Sequence, residues 1–438
     1  MKIRTKVKSA LVSFLAGRQY PKLKRLQARL HRRGLTTVHY FHQVDDPHSH
    51  LALQKLSQLQ DRYHVDIKPH LAAKPTAEDQ GDEARFGSWA VRDARGIKAF
   101  YGTNLPEGTE RPDPDAVLIA QAIIAKHLDK DSFSAVAIEI GECLWRGESA
   151  ETIKAHFEAT THKDIGLAAE AIANGTAMRS NLGHWLSGTF YFEGEWYWSV
   201  DRLVHLENRL CELGLSNHPA DVCVPRPTPG PTFGRDASGI ILEYFPSLRS
   251  PYTAISFDRT IDMVKRTGVK LHLRPVMPMM MRGVPAPRKK QLYILTDMRR
   301  EADYYDHSFS RIVDPIGEPV KRAFALFPFM ESRGAGVEYC SRYLRAAWGD
   351  GVDITTDAGL RTVVEQCDVS WHDASLHFDN EQWQPLLESN VTAMLDAGLW
   401  GVPSFRVSGG SIMEPFACWG QDRLWRVETD IALRTKTH

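Results

Sequence analysis

At 438 residues the chain exceeds one domain of ordinary size, and two or three domains are expected. Hydrophobic residues at 43% and charged residues at 25% are those of a soluble globular protein, and Lys+Arg balance Asp+Glu at 54 each, which excludes a global attraction to nucleic acid. No apolar run reaches the ~20 residues of a membrane span. The six cysteines form neither a CxxC pair nor a zinc-ligand spacing, so a reducing cytoplasm, no metal and no disulfide framework are expected.

Residues 1–34 carry eleven Lys or Arg, and the first acidic residue is Asp45. A secretory leader would set an apolar core of ~7–15 residues after such a basic start. Here the stretch from Ala10 to Gly17 contains Ser13 and runs into Arg18. Three readings fit this basic extension: a helix making peripheral contact with an anionic membrane surface, a solvated segment, or a helix docked on the protein.

Next, TVHYFHQVDDPHSHLA (Thr37 to Ala52) reads as an apolar strand, a short loop and a helix opened by Pro47, since proline suits a first helical turn. YHVDIKPHLA follows as a second short strand, and residues 112–180 are helix-patterned, with Trp145 beside a glycine. GHWLSGTFYFEGEWYWSVDRLVHLE (Gly183 to Glu207) alternates through a hairpin and enters an amphipathic helix. HPADVCVPRPTPGPTFG, with five prolines from Pro219 to Pro231, has few backbone donors and reads as a semi-rigid linker.

Beyond the linker the order repeats. IILEYFPSLRSPYTAI (Ile240 to Ile255) matches the first strand, loop and helix: Tyr40 and Phe41 correspond to Tyr244 and Phe245, and Pro47 to Pro251, at one offset. GVKLHLRPVM is the second strand and residues 305–396 are helix-patterned, with Trp348 beside a glycine. GLWGVPSFRVSGGSIMEPFACWGQDRLWRVE (Gly398 to Glu428) is the hairpin and last helix, pairing Trp185 with Trp400 and Asp201-Arg202 with Asp422-Arg423. Strand, helix, strand, helical insertion, hairpin and helix is the order of a thioredoxin fold with an inserted all-helical subdomain. The expectation is therefore an α/β protein of two tandem thioredoxin-like domains: a basic extension over 1–34, a first domain over 35–212, a linker over 213–238 and a second domain over 239–438.

The second half resembles the 2-hydroxychromene-2-carboxylate isomerases and kappa-class glutathione transferases, relatives of the DsbA oxidoreductases. The residues that carry the resemblance are Ser250-Pro251-Tyr252 after the first strand, Arg274-Pro275 after the second, GLWGVPSF (Gly398 to Phe405) and WGQDRLWRVE (Trp419 to Glu428), in the family's order across about 200 residues. The DsbA family's CxxC position reads Ser250-Pro251-Tyr252-Thr253 here and Asp46-Pro47-His48-Ser49 in the first half, without sulfur. Dithiol exchange needs two thiols, so that route is excluded.

A serine at this place can donate a hydrogen bond to the thiolate of glutathione, a species the helix N-terminus also favours. The resemblance gives Ser250 that role; its plain alternative is an N-cap serine. It further implies that Val402 offers main-chain bonds to glutathione beside Pro403 as a cis-proline, and that Gln421 and Asp422 hold the γ-glutamyl end. Asp422 reads equally as a helix cap, because Asp201 occupies the same place in the first half. Lys289 or Lys290 falls near the family's lysine, with Lys290 the choice for cofactor binding. The family's asparagine after the Arg-Pro strand is absent from MPMMMRGVPAPRKKQLY (Met277 to Tyr293), where Arg282 either replaces its polarity or sits on the surface. Tyr252, Met279, Trp348 and Trp400 are candidates for a hydrophobic acceptor pocket, and core packing is the competing reading of the methionines and tryptophans.

In the first half Asp46 replaces the serine and Gly188 the proline. A carboxylate at contact distance would raise the pKa of a thiol, so this copy is expected to be silent in glutathione chemistry and to serve as a pseudo-dimer partner within one chain. Asp46 and His48 are alternatively an acid/base pair. The whole reads as a glutathione-dependent transferase or isomerase acting on a small hydrophobic electrophile. The alternative is a non-catalytic thioredoxin-fold protein that binds a peptide or a partner.

Overall fold

Thr37–His42 and Ile240–Phe245 are rich in β-branched and aromatic residues, which suit a pleated, buried surface. Each forms an inner strand of a four-stranded sheet in the computed structural model, which describes residues 3–31, 36–157, 160–218, 221–230, 236–308 and 310–435. In the N-terminal half β1 (Thr37–His42) lies parallel to β2 (Asp66–Leu71) and antiparallel to β3 (Thr189–Phe192), which pairs in turn with β4 (Glu195–Trp198). The order is β2-β1-β3-β4, and Pro69, which cannot donate to a ladder, falls on the edge strand β2.

The C-terminal half has the same order and the same strand directions. β5 (Ile240–Phe245) is parallel to β6 (Lys270–Leu273) and antiparallel to β7 (Ser404–Gly409), with β8 (Phe416–Trp419) outermost. Leu242 pairs with Leu271 and Val407, and Phe405 with Cys418, so one apolar layer runs across the sheet. Helix Pro251–Thr267 follows β5 and ends on Gly268 at φ +71°, a left-handed position that glycine adopts without steric cost.

The helical insertions start earlier than the sequence pattern implies. Glu83–Ile97 and Arg288–Tyr304 are already helical, ahead of the stretches expected at 112–180 and 305–396. The basic pattern RKK at the start of the second of these obscured its apolar face.

The chain divides into two compact units: residues 1–20, 228–285 and 294–438 form one, and residues 21–227 and 286–293 form the other. The basic extension is accordingly divided rather than a segment by itself. Helix α1 (Ile3–Leu15) packs on the unit of the C-terminal sheet, where Ala16 is fully buried in the core. Helix α2 (Gln19–His31) has its ion pairs in the other unit, Arg25 to Glu195 and Arg29 to Glu193. The proline-rich stretch is anchored on one side: the buried Glu207 carboxylate accepts from Cys223 N at 2.6 Å, Val224 N at 2.8 Å and the Tyr63 hydroxyl at 2.8 Å. Pro219 and Pro231 lie outside the described residues. No helix among the described residues is long and apolar enough to cross a membrane.

Candidate functional site

β5 ends at Phe245, and the chain turns through Ser247 to the cap of the next helix. Ser250 has extended backbone angles (φ −85°, ψ 121°), its Oγ accepts from Thr253 N at 3.2 Å, and Pro251 fills the first helical position. Ser250 is thus a true N-cap and is 9% exposed. Among the described hydrogen bonds its Oγ acts only as acceptor, which leaves the hydroxyl proton available for a ligand.

The neighbouring turn is held by charge. Arg249 bonds Asp314 through Nε at 3.0 Å and Nη2 at 3.3 Å, and Lys8 adds a third contact at 3.2 Å. Burial alone would raise the Asp314 carboxyl, yet Arg249 and Lys8 bring it below its ordinary value. Arg249 Nη1 also meets Met280 Sδ at 3.1 Å, which ties the methionine turn Met279–Arg282 to the loop of Ser250.

That turn reaches the second loop through Arg282. Its guanidinium donates to Met277 O at 3.0 Å and to Trp400 O at 2.7 Å, and burial lowers its pKa to about 10. Arg282 therefore resolves as a partly buried clamp rather than a surface cation. Val402-Pro403 is a cis peptide bond, Pro403 O accepts from Gly420 N at 3.0 Å, and the Trp400 and Trp419 rings stand 4.7 Å apart. Gly401 passes directly under Trp419: a β-carbon there would lie 2.0 Å from Cε2 of the indole.

The remaining candidates divide. Tyr252 donates to Asp297 Oδ2 at 2.8 Å, and Arg300 bonds the other oxygen of that fully buried carboxylate at 3.0 Å. Met279 is partly buried in the turn beside Arg282. Trp348 lies in the apolar core with Tyr343 and Leu344, and Trp400 is also nearly inaccessible. Gln421 has both ends of its amide engaged, donating to Glu301 and accepting from Arg259, whose guanidinium stacks 3.3 Å over the Tyr305 ring. Asp422 is buried beside Gly420 and Arg423. Lys290 belongs with the other unit, its Nζ 3.5 Å from Asp79 O, and burial lowers its pKa against the pull of the Asp79 charge. Lys289 pairs with the same Asp79 at 2.7 Å.

Asp297 is the residue that sequence reasoning missed. The offset of 204 residues that relates Tyr40 to Tyr244 also relates His48 to Tyr252 and Asp93 to Asp297. In the N-terminal half the corresponding pair is present: His48 Nε2 is 3.5 Å from Asp93, while Nδ1 shares a 3.0 Å hydrogen bond with Ser199. Carrying the offset into the helical insertion would have found it.

In the N-terminal half the backbone at Gly188 packs directly against the start of the helix Pro47–Leu53. Asp46 caps its helix, accepting from Ser49 N at 2.7 Å and Ser49 Oγ at 2.6 Å, and burial raises its carboxyl despite His48 and Ser49. His48 lies between the Trp89 and Trp198 rings, with Nδ1 bonded to Ser199 and Nε2 3.5 Å from Asp93. Gly188, at φ +64°, presses on the helix: a β-carbon there would be 2.8 Å from Ser49 N and 3.0 Å from His48 C. Its carbonyl accepts from Ser199 N, the same bond that Pro403 makes with Gly420.

Four of the six thiols are made poor nucleophiles by burial. Burial pushes Cys340 and Cys223 well up, and Cys143 and Cys367 up to about 11. No disulfide is present among the six cysteines.

A parallel β-α-β unit joined through helices to an antiparallel hairpin and a closing helix defines a thioredoxin fold in the C-terminal half. Residues 241–432 match the DSBA-like thioredoxin domain family, so that segment is a DsbA-like thioredoxin domain. Solved structures similar to it include a 2-hydroxychromene-2-carboxylate isomerase at 17% identity and TM-score 0.37, covering 44% of this chain and 95% of the other. The cytosolic disulfide reductase DsbM from Pseudomonas aeruginosa, solved with GSH, is 17% identical at TM-score 0.33 over 44% and 99% of the two chains. The oxidoreductase DsbA from Xylella fastidiosa is 13% identical at TM-score 0.30 over 47% and 90%. No curated protein matches the sequence.

Proposed function

We propose that the C-terminal half is a glutathione-dependent transferase or isomerase for a small hydrophobic electrophile, and that residues 35–212 are a second, silent copy of the same fold. The observation that carries the reading is Ser250: a buried N-cap hydroxyl at the position where DsbA relatives hold a cysteine, with its proton available. No cysteine occupies positions 250–253, so the thiol this reading requires is a small molecule's.

The donor set fits glutathione in part. Ser250 Oγ–H donates to the sulfur, and the positive end of helix Pro251–Thr267 stabilises its charge. The loop of Val402 and Pro403, fixed by Arg282 and Trp419, offers main-chain groups to an extended peptide. Asp422 suits the ammonium of the γ-glutamyl end. Gln421 and Lys290 do not add to this set, because their polar atoms serve Glu301, Arg259 and Asp79. Glutathione supplies the nucleophile, while the chain orients it, and the partly buried Met279 turn supplies adaptable apolar surface for an acceptor. A reducing, cytoplasmic setting suits this chemistry.

Calorimetric titration of glutathione into the wild type and the Ser250→Ala and Asp422→Ala variants tests the reading. The expected result is weaker binding in Asp422→Ala and a raised thiol pKa of the bound tripeptide in Ser250→Ala. Absence of heat and of thermal shift at millimolar glutathione would sink it. The engaged amide of Gln421 favours the second reading in that case, a non-catalytic protein whose groove holds a partner polypeptide.

A further inference from the structure

Apart from Lys8, which braces Asp314 from α1, the N-terminal helices contribute no side chain to the candidate site, and each leaves an apolar stripe in solvent. In α1, Ser9 Oγ donates to Ile312 O at 2.6 Å, Ser13 Oγ accepts from Ile312 N at 2.8 Å, and Val12 and Ala16 pack on the core. The opposite face carries Val7, Leu11 and Phe14, at spacings of four and three residues, with Val7 65% exposed. Lys6 is exposed on the same helix, while Lys8 is half-exposed with its ammonium on Asp314. In α2, considered by itself, Arg25 and Arg29 hold Glu195 and Glu193. Leu23, Leu26 and Leu30 stand free of that contact, Leu30 at 78% exposure, and Lys22 and Lys24 are exposed among them.

Three large apolar side chains in helical register on each of these helices, taken separately, are more than the scattered exposure of an ordinary surface. Their surroundings identify what covers them. A second copy would bring the same cations face to face, since eleven Lys or Arg precede Gly34 and no acidic residue precedes Asp45. The complement of apolar stripes edged by fixed positive charge is a surface with anionic headgroups over acyl chains. We propose that α1 and α2 are interfacial helices that hold the protein on an anionic lipid surface, with Val7, Leu11 and Phe14 and with Leu23, Leu26 and Leu30 entering the headgroup boundary. Nothing in this depends on glutathione binding, so either proposal stands without the other.

Co-sedimentation of the full chain with vesicles provides the test, using phosphatidylcholine alone and with about one-third phosphatidylserine. Binding is expected to the anionic vesicles only, and to fall at least about tenfold when salt rises from about 0.05 to 0.5 M. The triple variants Leu23→Gln/Leu26→Gln/Leu30→Gln and Val7→Gln/Leu11→Gln/Phe14→Gln are each expected to lower the partition coefficient about tenfold or more. Their melting temperatures should match the wild type, because the substituted side chains lie in solvent. The proposal is overturned by absence of binding to anionic vesicles, by binding that both variants retain, or by equal binding to neutral lipid. It is likewise overturned if sedimentation velocity shows a dimer that the variants dissociate while vesicles recruit nothing.

Discussion

Single residues set how closely neighbouring segments approach. Gly188 brings backbone against the Ser49 amide, and Gly188 and Pro403 accept equivalent bonds from Ser199 and Gly420. Gly401 is the converse case, a residue whose lack of a side chain admits the Trp419 indole. Gly401→Ala is expected to cost about 1–3 kcal/mol, since the ring or the loop must shift. Chemical denaturation would measure this, and an unchanged midpoint would show that the indole moves freely. Ser250 and Pro403 were legible because proline and serine carry their local geometry with them. The partners of Tyr252 and Gln421 were not, because Asp297 and Glu301 come from a helix about 45 to 120 residues away in the chain and only packing selects them.

At the scale of elements, β1 and the helix Pro47–Leu53 concentrate buried imidazoles. Burial and the neighbouring His50 lower His42 to about 3, and burial lowers His50 to about 4 against the charge of Glu142. Both values lie below the ~6.5 of an unfolded histidine. The unfolded chain therefore takes up protons first, so these groups leave stability intact above about pH 6.5 and remove it as pH falls toward 4 and 3. Each contributes up to about 1.4 kcal/mol per pH unit across that window. Hydrogen exchange at pH 7 and pH 5 is expected to show β1 and helix Pro47–Leu53 losing protection selectively on acidification. Equal loss in β5 and helix Pro251–Thr267 would refute the assignment. The alternation of β1 announced a strand, but it said nothing of protonation, which burial governs.

For the whole molecule, the joint between the halves is the feature that composition described least well. Five prolines suggested an extended spacer, yet Cys223 and Val224 are bound by the Glu207 carboxylate, which also takes the Tyr63 hydroxyl. Replacing Glu207 by alanine strips two buried donors, Val224 N and the Tyr63 hydroxyl, and the half-buried Cys223 N of their acceptor, and a loss of about 2–5 kcal/mol follows. Limited proteolysis should then cut near Arg226 faster than in the wild type; an unaltered cleavage rate and unfolding midpoint would contradict this. The basic extension behaves in the same way: its charge was plain in the sequence, whereas the docking of Ser9 and Ser13 on Ile312 needed the folded partner.

The order of strands and helices, the repeated motif around Pro47 and Pro251, the loss of the CxxC sulfurs and the place of Pro403 follow from the sequence by itself. Each rests on short-range stereochemistry: alternation, capping and the fixed φ of proline. Tertiary structure alone determined that Lys290 serves Asp79, that Gln421 is engaged at both ends, that Arg282 clamps the Trp400 loop and that Gly188 packs against the Ser49 amide. These are contacts between segments far apart in the chain. Their partners are chosen by volume and by the need of every buried polar group for a hydrogen bond, and neither is written in local sequence.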